Sequence, residues 1–206
     1  KRFNLIDTPG YSDFIGQNAL APSTTGAGFV AINLNTGTVE SYGLELEAHL
    51  EATERFRVDA GLTLLHARIT DDSQFVATTG YGLPSDRILF TPDWNYNLSG
   101  TYQLPLFDGR DVLEFTAGVV GKGARNGSGL ALVDVGPIEM EAYHLVNAAL
   151  TYRFQNVDVA LFAANLLDEE YLESYIDQSL LQSAGLGPLS HNIGLQGERR
   201  RVGLRA

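Results

Sequence analysis

The chain contains no cysteine, which removes disulfides, thiolate metal ligands and cysteine nucleophiles together. Charge is also scarce. Only 19% of the 206 residues are charged, and acidic side chains outnumber Lys and Arg by 25 to 14, for a formal net charge of −11. Nucleic-acid binding needs clustered Lys and Arg to displace phosphate counterions, so this balance argues against that partner. No stretch approaches the roughly 18 uninterrupted apolar residues of a membrane-spanning helix. Lys1-Arg2-Phe3 runs directly into polar residues, without the apolar segment of a secretory leader or an initiating Met, and reads as a cut inside a longer protein.

What is present is a 44% hydrophobic chain with a mean hydropathy of −0.05, too apolar for disorder. A transmembrane β-barrel fits these numbers. Its strands show lipid only every second side chain, so average hydropathy stays near neutral.

Alternation along the chain supports that reading. Tyr42, Leu44, Leu46, Ala48 and Leu50 fall on one face, opposite Ser41, Gly43, Glu45, Glu47 and His49. After a polar turn at 52–55, Phe56, Val58, Ala60, Leu62 and Leu64 oppose Arg57, Asp59, Gly61 and Thr63, which predicts a hairpin. The cleanest run sets Trp94, Tyr96, Leu98, Gly100, Tyr102 and Leu104 against Asp93, Asn95, Asn97, Ser99, Thr101 and Gln103. Aromatic residues near both ends of an apolar face are what two membrane interfaces select. Leu113 to Val119 continues the pattern, and Val146, Ala148, Leu150, Tyr152 and Phe154 oppose Asn147, Thr151 and Arg153 within a strand expected over 138–154. Val157–Ala164 is apolar on both faces, so its own pattern does not say which one meets lipid. A last strand is expected over 198–206, and residues 1–26 read mostly as loop, with a strand remnant at 2–7.

Two features set the architecture. The connections alternate between short (52–55, 105–111, 155–156) and long (70–86, 122–136, 172–197), which in an antiparallel up-and-down sheet puts every short turn at one end. Several strands also exceed the usual 3 to 10 residues of globular proteins. The fold class is therefore all-β: an antiparallel up-and-down transmembrane β-barrel segment of about seven or eight long strands, an open curved sheet when isolated.

Four segments carry a family likeness. Asn35-Thr36-Gly37 followed by Gly43-Leu44-Glu45-Leu46-Glu47, Pro92 with Asn97-Leu98 and Tyr102, Asn165-Leu166-Leu167-Asp168-Glu169-Glu170-Tyr171, and Gly197-Glu198-Arg199-Arg200-Arg201-Val202-Gly203-Leu204 together resemble the barrel of TonB-dependent outer-membrane receptors. The resemblance departs at Arg200, where Pro is common, and at Ala206, where the family continues to a terminal aromatic. It implies that residues 1–206 are a C-terminal fragment of such a barrel, without plug domain or first barrel strands. It further implies active uptake of a scarce ligand of the siderophore, cobalamin, haem or glycan class in the outer membrane of a Gram-negative bacterium. The implied partners are the TonB-ExbB-ExbD system through the plug region, that small-molecule or glycan ligand, and outer-membrane lipid and lipopolysaccharide. No cofactor is expected.

The polar face supplies the candidate site residues: Glu45, Glu47, His49, Arg57, Asn97, Arg153, Arg201 and Arg205, all expected to face the lumen by phase. Glu45, Glu47 and His49 share a face and have metal-ligand chemistry, but the neighbouring strands are polar on the matching face, which favours a wetted wall. His66, His144 and His191 are scattered, with no nucleophile at readable spacing. Asp71-Asp72 and Asp168-Glu169-Glu170 lack the spacing and glycine turn of a calcium loop and read as solvated loop ends. Lys122-Gly123-Ala124-Arg125-Asn126-Gly127 lacks a Walker pattern and reads as loop. Arg199, Arg201 and Arg205 are expected on the lumen face, toward the plug. No acid, base and nucleophile set is visible, so no enzyme is expected. The competing readings are a passive porin-type channel and a soluble glycan-binding β-sandwich.

Overall fold

The computed structural model describes residues 2–8, 16–22, 29–35, 37–80, 82–83, 85–127, 139–176, 178 and 191–206. The strands are β1 (Arg2–Thr8), β2 (Gly16–Pro22), β3 (Phe29–Asn35), β4 (Thr38–Thr53), β5 (Phe56–Asp71), β6 (Trp94–Leu106) and β7 (Asp111–Lys122). They continue as β8 (Arg125–Asn126), β9 (Glu139–Met140), β10 (Tyr143–Phe154), β11 (Val157–Ala164), β12 (Leu172–Ile176), β13 (Ile193–Gln196) and β14 (Arg201–Arg205), with a helix α1 at Ser73–Thr79. Eight strands form one antiparallel sheet in the order β1-β4-β5-β6-β7-β10-β11-β14. Sequence neighbours are sheet neighbours, except where the hairpins β2-β3, β8-β9 and β12-β13 occupy the connections.

Period-two patterning fixes the register, because a one-residue slip would turn every apolar side chain of a strand to the wet face. Leu50, Val58, Gly100, Ala117, Ala148, Ala163 and Val202 form one continuous row across seven strands. Phe56, Tyr102, Phe115, Leu150, Leu161 and Leu204 form the next row toward the turns. On the opposite face the row Glu51, Arg57, Thr101, Thr116, Ala149, Phe162 and Gly203 begins polar and ends apolar. β11, whose pattern is ambiguous by itself, is set by its neighbours: Val157, Val159 and Leu161 join the apolar belt, while Ala160, Phe162 and Ala164 lie on the other face.

The belt is exposed. Leu64, Leu98, Tyr102, Phe115, Leu150 and Leu161 are large apolar side chains open to the surroundings, and a soluble sandwich would have buried them under a second sheet. Among the described residues the buried apolar side chains, Ala160 of β11 apart, cluster instead at the loop end, with Ala67, Ile69, Phe75, Met140 and Tyr143. Strands of 12 to 16 residues in β4, β5, β6, β7 and β10 exceed the roughly 9 to 11 that a tilted membrane strand needs.

The connections divide by end. Turns at 54–55, 107–110 and 155–156 are short. Thr38 pairs with Asp71 and Thr8 with Ser41, so the connection carrying β2 and β3 joins those at 72–93, 123–142 and 165–200 at the opposite end.

Several sequence expectations need correction. The strand remnant at 2–7 is β1, which extends the main sheet, but 1–26, otherwise read as loop, also holds β2. Ahead of the alternation at 41–50, residues 29–35 form a separate element, because β3 turns back on β2 while β4 enters the main sheet. The loop at 70–86 contains α1, and the strand expected from 138 begins at Tyr143 after the short β9. The last strand starts at Arg201, since 198–200 are engaged elsewhere. The glycine-rich loop beyond Gly127, and Gly185, Gly187 and Pro188, lie outside the described residues.

Candidate functional site

Register places Glu45, Glu47 and His49 of β4, Arg57 of β5, Asn97 of β6, Arg153 of β10 and Arg201 and Arg205 of β14 on the same polar face. They do not converge on one point. His49 Nδ1 lies 2.5 Å from Asp59 Oδ1, and Arg57 Nε donates to Asp59 Oδ2 at 3.2 Å. Arg153 forks onto both oxygens of Glu114 at 2.9 and 3.1 Å and reaches Asp158 at 3.3 Å, while Gln103 Nε2 donates to Glu114 at 2.8 Å. Asn97 lies over Gly61, where a Cβ would sit 2.4 Å from its Oδ1. Arg201 stacks at 5.9 Å over the ring of Phe162.

The ion pairs involving His49 and Arg57 are largely solvent-exposed, a setting in which such pairs add little stability. Their effect is to give the wall a pattern of opposite charges. A trough of about 750 Å³ on this face is lined by Asn97, Ser99, Thr116, Asn147, Phe162, Arg201 and Arg205 among others. Hydroxyl, amide and guanidinium groups beside one aromatic ring can hydrogen-bond a polar solute. Among the described residues no group of three His, Asp or Glu could hold a metal ion; His49 is turned to Asp59.

The second region is the turn after β11. Asn165 is 3% exposed and has a left-handed backbone, φ 46°, a conformation Asn tolerates better than most residues. Its Nδ2 donates to the carbonyls of Glu169 (2.9 Å) and Glu198 (3.0 Å), and its Oδ1 accepts from the Glu169 N–H (2.9 Å). Asp168 accepts from Arg199 Nε (3.2 Å) and Nη2 (2.8 Å) and from the Arg200 N–H (2.8 Å), and Arg199 also donates to Glu170. The Arg200 N–H and then the Arg199 guanidinium hold the Asp168 carboxyl below its ordinary range. The Gly197 N–H donates to Tyr171 O at 2.9 Å. This clamp ties the outer end of β11 to the residues entering β14. It corrects two expectations: Asp168 is bonded rather than merely solvated, and Arg199 belongs to the clamp.

Of the third region only Arg125 was weighed from sequence, within a segment read as loop that here holds β8. Arg68 forks onto Asp93 at 2.8 and 3.0 Å, and Arg87 donates to Asp93 (2.9 Å), Glu139 (3.0 Å) and Ala124 O (3.0 Å). Hydrogen bonding from Arg68, then the charge of Arg87, keeps Asp93 ionised below its usual range. Arg125, 2% exposed, donates to Leu172 O at 2.8 Å and stacks at 5.4 Å over Tyr143, whose ring lies 4.2 Å from that of Tyr171. These residues come from strand ends and connections that are distant in sequence, so spacing gives no hint of their meeting. Their effect is to fasten the long connections to the rim.

His66 and His144, for which the sequence offers no nucleophile at readable spacing, each sit against aromatic rings. His66 stacks on Tyr42 at 4.7 Å, and His144 lies beside Trp94 and Tyr96.

A family model described as the TonB dependent receptor-like β-barrel matches residues 11–166. Solved structures agree in fold. The ferric yersiniabactin uptake receptor FyuA from Yersinia pestis aligns with a TM-score of 0.65 at 17% identity, over 85% of this chain and 24% of its own length. The siderophore receptor PiuA from Acinetobacter baumannii aligns with 0.58 at 20% identity, over 82% of this chain and 22% of its own. The ferric-catecholate import receptor Fiu from E. coli K12 aligns with 0.59 at 21% identity, over 91% of this chain and 22% of its own. The chain spans about a quarter of the length of each.

Proposed function

The chain belongs to the TonB-dependent receptor-like β-barrel family, and from that premise we propose that it supplies wall and outer loops to an active transporter of the Gram-negative outer membrane. The observation that carries this reading is the exposed apolar belt. It runs continuously across the sheet on one face, with the long connections at one end, which is the asymmetry of outer-membrane barrels. The belt meets acyl chains, and Glu45, Glu47, His49, Arg57, Asn97, Arg153, Arg201 and Arg205 line the lumen.

In this reading the sheet is one arc of a much wider barrel, since eight strands alone would close around little more than their own side chains. Residues 1–206 are the C-terminal portion, and strands from the rest of the parent pair with the free edges of β1 and β14. Uptake is driven by the TonB-ExbB-ExbD system acting on a plug region elsewhere in the parent. The ligand belongs to the siderophore, cobalamin, haem or glycan class, and lipid and lipopolysaccharide surround the belt. The similar structures, a ferric yersiniabactin uptake receptor, a siderophore receptor and a ferric-catecholate import receptor, make a ferric chelate the first substrate to test. The role is transport, without catalysis.

The test uses the full-length parent in an outer-membrane host, with uptake of radiolabelled ferric chelates, cobalamin and haem measured with and without a working energy-coupling system. Saturable uptake of one of these, lost when coupling is removed, is expected. Uptake that persists without coupling would replace the reading with a passive channel.

A further inference from the structure

A guanidinium taken out of water needs acceptors for its N–H groups and a counter-charge. Arg125, in β8, falls short of both. Among the described residues it is the one charged side chain that is buried. Its register partner Met140 is equally enclosed, and the Tyr143 ring centre lies 5.4 Å from its Cζ. Nη2 donates to Leu172 O at 2.8 Å. The Glu173 carboxylate stands 3.9 Å from that same nitrogen, beyond hydrogen-bond distance, and is itself half-exposed. Nη1 is buried with no hydrogen-bond partner among the described residues.

Arg87 marks the contrast. Its Nε also lacks a partner among the described residues, but its terminal nitrogens reach the carboxylates of Asp93 and Glu139, so its charge is matched and a water suffices for Nε. At Arg125 a water would satisfy the N–H groups and leave the charge. An anion does both. The lining narrows which anion. Met140 and Tyr143 present apolar surface, which disfavours strongly hydrated dianions such as sulfate and phosphate, and Glu173 repels a second negative charge. A single small monovalent anion suits this socket, and chloride has that chemistry.

We propose that Arg125 Nη1 binds one halide-sized monovalent anion, and that this ion fastens the connection carrying β8 and β9 to the one carrying β12. Arg125 belongs to the first connection, and Leu172 and Glu173 belong to the second. The guanidinium is drawn toward water as long as its charge is unmatched, and moving there breaks its bond to Leu172 O. A bound anion removes that pull, so the seam stays shut. The inference goes beyond transport, because it needs only the packing of these two connections and involves neither ligand nor lipid.

The test uses the full-length protein in micelles, with heat-modifiable migration identifying folded barrels. Crystals soaked in sodium bromide are expected to show anomalous scattering within hydrogen-bond distance of Arg125 Nη1. In solution, hydrogen exchange over residues 169–176 is followed by mass spectrometry in chloride, sulfate and gluconate at equal ionic strength. Chloride should slow exchange about ten-fold relative to gluconate, equivalent to about 1.4 kcal/mol, and sulfate should not. Arg125→Lys keeps the charge but removes Nη1, and is expected to lose the chloride effect. No bromide at Nη1 together with exchange indifferent to the anion means a water there and overturns the proposal. Bromide that binds without slowing exchange, an adventitious ion only, overturns it too, as does a chloride effect that persists in folded Arg125→Lys. If that variant does not fold, bromide and exchange on the wild type decide by themselves.

Discussion

Asn165 shows how a buried side chain can turn a sequence signature into geometry. Its amide makes three hydrogen bonds, all to backbone, and two of its partners belong to Glu169 and one to Glu198. Removing the amide strands those groups in a buried turn. Asn165→Ala is therefore expected to destabilise the folded barrel by roughly 3 kcal/mol, about the cost of one to three unsatisfied buried groups, read as a lowered urea midpoint of the full-length protein in micelles. Asp168 gives a pH prediction. Its folded-state pKa is depressed by the Arg200 N–H and the Arg199 guanidinium, so the stability it contributes is complete above the ordinary carboxylate pKa of about 3.9 and is lost as pH falls through the lower, folded-state value. The barrel should lose stability in acid more gently in Asp168→Asn than in wild type, and equal acid profiles would count against a depressed pKa. The signature from Asn165 to Tyr171 was legible as a family mark, but its mechanics were not, because its partners lie about thirty residues on, at 197–200.

Strands were the most legible elements. The runs in β4, β5, β6, β7 and β10 alternate in sequence and pair as that alternation requires, and the short turns fall where polar residues interrupt them. Of the first 26 residues only the strand at 2–7 was legible, and it lies within β1; β2 was hidden among turn signals, and the pairing of both strands with β4 and β3 is set by the fold. Helix α1 was hidden for a related reason. Seven residues with Val and two Thr give a helical period too little length to register, and β-branched side chains favour strand. Two element-scale predictions follow from backbone and space. Gln155, in the tight turn between β10 and β11, has φ 52°, which costs a side-chain-bearing residue more than glycine. Gln155→Gly should thus stabilise by up to about 1 kcal/mol despite glycine's greater unfolded-state freedom, seen as a raised unfolding midpoint. At the clamp, a Cβ on Gly197 would sit 2.0 Å from Tyr171 Cζ, closer than any relaxed contact. Gly197→Ala is expected to push the Tyr171 ring off Tyr143 and cost about 1–3 kcal/mol, as overpacking does, with the ring movement visible as a change in tyrosine fluorescence in a background lacking competing aromatics.

At the scale of the whole molecule, the proposed membrane wall gives the two faces of the sheet opposite solvents. Sequence alternation was enough to sort most side chains onto these faces, including the eight lumen candidates, because a period of two survives in any antiparallel sheet. It was not enough to place the loop-end network of Arg68, Arg87, Asp93 and Arg125, whose members meet only through the return of long connections. A charge placed in the belt meets hydrocarbon, whereas a charge on the other face meets water. Leu98→Arg should therefore cost about 2–4 kcal/mol, the penalty for a basic residue near the bilayer midplane, while Ser99→Arg, one residue along the same strand, should cost far less. The most direct measurement of the belt's role is residue-by-residue thiol labelling, for which the absence of cysteine from this chain leaves a clean background over these strands. Single cysteines at Leu62, Leu98, Val119, Asn97, Ser99 and Thr116 in the full-length protein, in intact outer membranes, would be treated with a lipid-dissolved reagent and with a water-soluble one. Positions 62, 98 and 119 are expected to react from the lipid and positions 97, 99 and 116 from water; equal access to the aqueous reagent on both faces would contradict the membrane wall.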